Sequence, residues 1–296
     1  MPKEISLVLT SGGARGLAQI GAIEVLEEQG YKIKAIAGSS MGAVVGGLYA
    51  TGKLNDYKKW VLKLGKRDVF ALFDFTFNSG GFIKGDRLFK ELEKILGGDV
   101  NIENANIPFY AVATDIVSNE AVWFNRGSLF KAIRASVAIP SIVTPVIHNG
   151  KILIDGGVSH PAPFDPLIKY GNNVIIINVN SDIPYEYPFP QLSNEEINKE
   201  NSLYVKKIAE FKKSWEKYFP AKEEKKVTIE IPNVATLLSK SVDYMGDLII
   251  KMNIEKHQPS MIIEVSRNAG GTLEFFKAEE LIEAGRKATE KVLEKL

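Results

Sequence analysis

The sequence predicts an α/β fold with a central, mostly parallel sheet covered by helices on its faces. Three observations carry that expectation. Strand and helix patterns alternate through the first half of the chain, so that two βα units fall within fifty residues. A Gly-x-Ser-x-Gly turn lies between the second strand and its helix. Val174 to Val179 is a run rich in β-branched residues, the pattern of a strand buried on both faces.

Taken in order, Ile5 to Thr10 reads as the first buried strand, and Gln19 to Gln29 carries apolar residues at helical spacing up to a stop at Gly30. Ile33 to Ala37 is the second strand, followed by Ser39-Ser40-Met41-Gly42 and a small-residue helix ending near Thr51-Gly52. Asp86 stands where a cap would precede a helix from Arg87 to Leu96, which Gly97-Gly98 ends. Pro108 to Thr114 is the next strand, and Asn149-Gly150 between the apolar runs of Val146 to Asp155 marks a two-residue hairpin. From Ser181 to about Pro232 the character changes: prolines give way to a Lys- and Glu-rich segment, Val205 to Lys226, interleaved with Phe211, Trp215, Tyr218 and Phe219. A helix (Val234 to Lys256), a strand (Met261 to Val265) and a last helix (Ala278 to Leu296) follow. The organisation expected is one domain over 1–296 with a helical insertion at about 183–256.

Composition narrows the function classes. An apolar fraction of 45% and a charged fraction of 25% are those of an ordinary globule, and 37 basic against 36 acidic residues leave no nucleic-acid footprint. With no cysteine, disulfides, thiolate metal sites and cysteine nucleophiles are excluded; the three histidines show no ligand-like spacing, so neither metal nor cofactor is expected. The N-terminus lacks the apolar core of a signal peptide and no apolar stretch is long enough to span a membrane, so the expected location is cytoplasmic.

The chemistry centres on Ser40. A Gly-x-Ser-x-Gly turn between strand and helix forces the serine into a strained elbow, with Gly38 and Gly42 letting the neighbouring backbones pass. The hydroxyl then stands above the strand end at a helix N-terminus, and the N–H of Met41 can serve a developing oxyanion. The bland reading is a helix capped by Ser39 or Ser40. Ser11-Gly12-Gly13-Ala14-Arg15-Gly16 follows the first strand and is neither a dinucleotide fingerprint nor a P-loop. Beside an elbow on the next parallel strand it reads as an oxyanion hole, because both loops leave the same edge of the sheet. Arg15 either stiffens that loop, binds a substrate phosphate or forms a surface ion pair.

Of the three histidines a triad could draw on, His148 adjoins a turn and His257 precedes Gln258-Pro259, while His160, which follows Asp155-Gly156-Gly157-Val158-Ser159, is the nearer candidate. Asp155 ends an apolar strand and is followed by two glycines. It can approach a hydroxyl directly and act as base if burial raises its proton affinity, or it can be a plain Asp-Gly turn.

Together, Ser11 to Gly16, Gly38-Ser39-Ser40-Met41-Gly42, Ala135-Ser136-Val137-Ala138-Ile139-Pro140 and Asp155-Gly156-Gly157 resemble the patatin-like phospholipases, over roughly residues 5–180. The resemblance implies a three-layer α/β/α fold and a Ser40–Asp155 dyad, with backbone N–H groups around Gly12, Gly13 and Ala14 as the oxyanion hole. The sequence departs from the family at Ser11, where many members have a third glycine, and at His160, where many have Asn.

The substrate implied is a fatty-acyl ester of the phospholipid or lysophospholipid class, met by peripheral contact with a membrane surface. Phe70, Phe73, Phe75, Phe77 and Phe82 either line an acyl channel or fill core, and the Val205 to Lys226 segment is either a lid on lipid headgroups or a solvated helix. The alternatives are an α/β-hydrolase-type carboxylesterase with a Ser40, Asp155 and histidine triad, a non-catalytic lipid-binding regulator, and an acyltransferase.

Overall fold

Side-chain alternation sets the layers. In β1 (Lys3–Leu9), Ile5, Leu7 and Leu9 enter one hydrophobic core while Val8 enters another, so the strand is buried on both faces. The computed structural model describes residues 3–72, 85–140, 142–185 and 234–295. After β1 come α1 (Ala18–Glu28), β2 (Tyr31–Ser39), α2 (Met41–Ala50), α3 (Leu54–Val61), α4 (Lys66–Leu72) and α5 (Asp86–Leu96). They are followed by β3 (Phe109–Asp115), β4 (Glu120–Phe124), α6 (Leu129–Ser136), β5 (Val146–His148), β6 (Lys151–Asp155) and β7 (Val174–Ser181). The described chain ends with α7 (Val234–His257), β8 (Met261–Ser266) and α8 (Ala278–Leu293).

The sheet runs β5-β6-β3-β2-β1-β7-β8, with β4 also paired to β3. Pairs among β8, β7, β1, β2 and β3 are parallel, and those of β3 with β4, β3 with β6 and β5 with β6 are antiparallel. One face carries the large core that α1, α2, α6 and α8 cover. The other buries Val8, Ala35, Ala37, Tyr110 and Ile176 under Phe164, Leu167 and Ile250, the last from α7. The expected α/β class with a mostly parallel sheet is the fold observed. The hairpin at Asn149-Gly150 is also as expected, both residues having positive φ (49° and 77°) as its turn type requires.

Asp86 differs from its expected position: it is the first helical residue of α5, and Gly85 at φ 65° occupies the cap position. A left-handed entry of this kind suits glycine, which carries no side chain to cap with.

By its contacts the chain divides into two compact units, 1–186 with 246–296, and 187–245. Of the second, only 234–245, the first half of α7, is described. Phe73, Phe75, Phe77, Phe82, the Val205 to Lys226 segment and most of the proposed insertion lie outside the described residues. Among those described, no helix is long and apolar enough to cross a membrane.

α1 and α8 cross in backbone contact. A Cβ at Gly21 would overlap the Ile282 carbonyl, and one at Gly285 the Ala18 carbonyl. Gly21→Ala is expected to force the helices apart at a cost of about 2 kcal/mol, read as a lowered midpoint in urea unfolding.

Candidate active site

The geometry of the site follows from how β3 shares its edges. β4 occupies one edge along 111–115, so β2 and β6 must share the other. β2 pairs Ser39 with Val112 and stops. β6 arrives antiparallel and stops with Asp155 opposite Ala113. The carboxyl ends of the two strands therefore meet head-on, and residues 115 positions apart become neighbours.

Ser40, between β2 and α2, has φ 53° and ψ −122°, a strained conformation for a side-chain-bearing residue. A Cβ at Gly38 would overlap the Gly42 carbonyl, and one at Gly42 the Leu9 carbonyl, so both elbow glycines are sterically required. The Ser40 N–H donates to Ser136 Oγ at 2.9 Å, and that hydroxyl donates to the Val112 carbonyl at 2.7 Å. The Ser40 carbonyl begins α2 by accepting from Ala43 N–H. Neither Ser39 nor Ser40 caps the helix with its side chain.

Ser40 Oγ donates to Asp155 Oδ2 at 2.6 Å, and Asp155 Oδ1 accepts from Gly157 N–H at 2.6 Å. Both side chains are buried. Burial pushes the Asp155 carboxyl up to about 7, outweighing the hydrogen bonds from Ser40 and Gly157, which act the other way. A carboxyl titrating there can hold or release a proton near neutrality. The backbone of Asp155 is fixed as well, its N–H on the Ala138 carbonyl at 2.9 Å and its C=O on Thr114 Oγ1 at 3.1 Å. Gly156 passes so close to Val112 that a Cβ would overlap that carbonyl.

In the glycine loop the expectation needs one correction. Ala14 N–H donates to the Thr272 carbonyl at 2.8 Å, because the 3-10 turn Gly13–Leu17 aims it at the loop before α8. Gly12 and Gly13 N–H meet no acceptor among the described residues, and Met41 N–H, in the first turn of α2, has no intrahelical partner. Of the phosphate-binding and bracing roles open to Arg15, bracing is what its hydrogen bonds perform: Nε to the Val179 carbonyl, Nη1 to the Gly270 carbonyl and Nη2 to Asn180 Oδ1, at 3.0–3.2 Å. Ser11, where a third glycine was the alternative, is held through its backbone by Pro161 and Asn180.

Gly13, Ser40 and Met41 open on a cavity of about 800 Å³, its open mouth included, walled mainly by Val44, Trp60, Leu64, Leu88, Phe89, Val137, Val143 and Phe275. That is an apolar pocket with a few convergent polar groups at one end. Sequence reasoning missed the 272–275 wall, which carries no motif, and the role of Ser136, which sat in a quoted motif without an assigned contact.

The histidines are elsewhere engaged. His160 Nδ1 meets Ser159 Oγ at 3.0 Å with its ring edge-on to Trp123, His257 stacks on Phe164 beside Asp165, and His148 lies against Phe124 and Asn149. None of the three completes a triad around Ser40. Among the described residues no carboxylate or histidine cluster could hold a metal ion.

The family model described as patatin-like phospholipase matches residues 7–168, more than half of the chain and both members of the Ser40–Asp155 pair. The chain belongs to the patatin-like phospholipase family. An uncharacterized NTE family protein of Mycobacterium tuberculosis is 32% identical over 98% of this chain and 91% of its own length. Lysophospholipase nte1 of Aspergillus niger is 33% identical over 58% of this chain, which corresponds to 12% of that larger protein. Among solved structures, VipD from Legionella pneumophila superposes with a TM-score of 0.45 and 16% identity, covering 99% of this chain and 67% of that one.

Proposed function

We propose that this patatin-like protein is a serine acyl hydrolase that cleaves fatty-acyl esters of phospholipids or lysophospholipids through a Ser40–Asp155 dyad. The observation that carries the reading is the 2.6 Å Ser40–Asp155 hydrogen bond at the polar end of an apolar cavity of acyl-chain character. The lysophospholipase among its relatives supports the substrate class.

Ser40 Oγ attacks the ester carbonyl carbon as its proton passes to Asp155 Oδ2. The resulting oxyanion is received by the N–H groups of Gly12, Gly13 and Met41, whose partners are free to be supplied by substrate. The C–O bond to the alcohol breaks, and the departing oxygen takes the proton from Asp155. Water then yields a proton to Asp155 and attacks the acyl-Ser40 carbonyl. Collapse releases the fatty acid and returns the proton to Ser40. Esters of this class reside in membranes, so the enzyme works in peripheral contact with a lipid surface.

The test is a fluorophosphonate probe, which reacts only with an activated serine. Wild-type protein is expected to label and Ser40→Ala to remain unlabelled. Because the base must be ionised, the labelling rate is expected to fall tenfold per pH unit below an apparent midpoint near 7 and to level off above it. Equal labelling of the Ser40→Ala protein would overturn the assignment.

A further inference from the structure

Two residues of one short segment hold both halves of the dyad. Ser136, the last residue of α6, accepts the Ser40 N–H at 2.9 Å and donates to the Val112 carbonyl at 2.7 Å. Two positions on, the Ala138 carbonyl accepts the Asp155 N–H at 2.9 Å. Between them Val137 lines the apolar cavity. Val112 itself lies beside Ser39 in the sheet, next to the Ala113–Asp155 pair.

We infer that the segment Ser136-Val137-Ala138 is the positioning element of the dyad, with Ser136 as its decisive side chain. It acts on the hydrolysis proposed above and rests on that reading. The physical reason lies in the elbow. Ser40 is held at positive φ, which its own backbone disfavours, and its N–H points into a fully buried region. A buried N–H without an acceptor is costly, so a hydroxyl at 136 both satisfies the group and opposes relaxation of the elbow. By donating onward to β3, the strand that also carries Asp155's neighbour, Ser136 references the nucleophile to the same strand as its base. Displacement of the nucleophile by about 1 Å is enough to cost on the order of a hundredfold in rate. Ser136 touches no reacting atom and acts through Ser40 alone.

The test compares wild type, Ser136→Ala and Ser136→Thr on a soluble short-chain nitrophenyl ester, with thermal midpoints measured on each. Ser136→Ala is expected to lower kcat by about 10–100-fold with KM within about twofold, because the lost contact orders the nucleophile and not the acyl pocket. Ser136→Thr, which keeps the hydroxyl, is expected to recover most of that loss. A folded Ser136→Ala protein with wild-type kcat overturns the inference, and so does a loss that appears in KM or is as deep in the threonine variant as in the alanine one. Should Ser136→Ala not fold, the threonine variant decides alone: wild-type-like kcat upholds the role of the hydroxyl, and a large loss in a folded threonine protein refutes it. Failure of the hydrolase reading is distinguishable, since the wild-type protein would then turn over no ester and take no fluorophosphonate.

Discussion

Ser40→Ala is expected to lower turnover of a fatty-acyl ester by about 10⁴-fold or more, leaving KM nearly unchanged. Alanine keeps the Cβ, so the strain at φ 53° and the packing of Gly38 against Gly42 are the same in both proteins. The apolar cavity is walled by other residues and continues to hold the acyl chain. What disappears is the hydroxyl hydrogen-bonded to Asp155 Oδ2. Water admitted to the gap can still be activated by Asp155 and polarised by the glycine loop, which sets the residual rate. The substitution has a second readout. The Ser40 hydrogen bond lowers the Asp155 proton affinity, so its removal moves that carboxyl above its already raised value. A steady-state assay on defined lysophospholipids, with fatty acid quantified by mass spectrometry, measures the first effect. Retention of more than about a hundredth of the wild-type rate would exclude Ser40 as nucleophile, because a missing nucleophile costs far more than a hundredfold.

Much of this was legible because the chemistry-bearing elements are short and local. Gly38 to Gly42 carry their elbow in a five-residue pattern: Gly38 avoids a collision with Gly42 inside the motif, and Gly42 avoids one with the Leu9 carbonyl of the neighbouring β1. The β-branched run of β7 and the Asn149-Gly150 turn are likewise decided within a few positions. For Asp155 the residues alone left two readings open, a base for the serine hydroxyl or a plain Asp-Gly turn, and the resemblance chose between them. Nothing in the spacing of 115 residues says that β6 takes over the edge of β3 where β2 leaves it; that is a property of the assembled sheet. The same limit explains Ala14. Its place in a glycine loop marks it as an oxyanion donor, yet its N–H is drawn to Thr272, more than 250 positions away. Asp86 failed for a local reason: Asp at a helix start suggests a cap, but a left-handed Gly85 already occupied that position. Ser136 was visible as a residue and silent as a contact, because a single buried hydroxyl has no sequence periodicity to betray its partner.

Asp155→Asn should separate catalysis from stability. Asparagine can accept the Gly157 N–H through its carbonyl and donate to Ser40 Oγ through its amide, so both present contacts have neutral replacements. It cannot take the Ser40 proton, and turnover is expected to fall by about 10³–10⁴-fold. Stability is expected to move the other way in alkaline solution. The folded carboxyl holds its proton to about 7, against 3.8 for the ordinary group, so between those values the folded chain binds more protons than the unfolded one. Wild-type stability therefore declines as pH rises through that window, and the full cost of the buried carboxylate is present above 7. Each tenfold rise in proton affinity is worth about 1.4 kcal/mol, so that cost reaches several kcal/mol. The amide carries no such charge. Urea unfolding at pH 5 should place Asp155→Asn close to wild type or slightly below it, and at pH 8.5 clearly above it. Parallel stability curves for the two proteins across that range would mean that Asp155 is solvated or already ionised when folded, and the buried base on which the dyad depends would have to be abandoned. A crossing of the curves with activity lost at every pH is the result that ties the strain of the buried carboxylate to its work as a base.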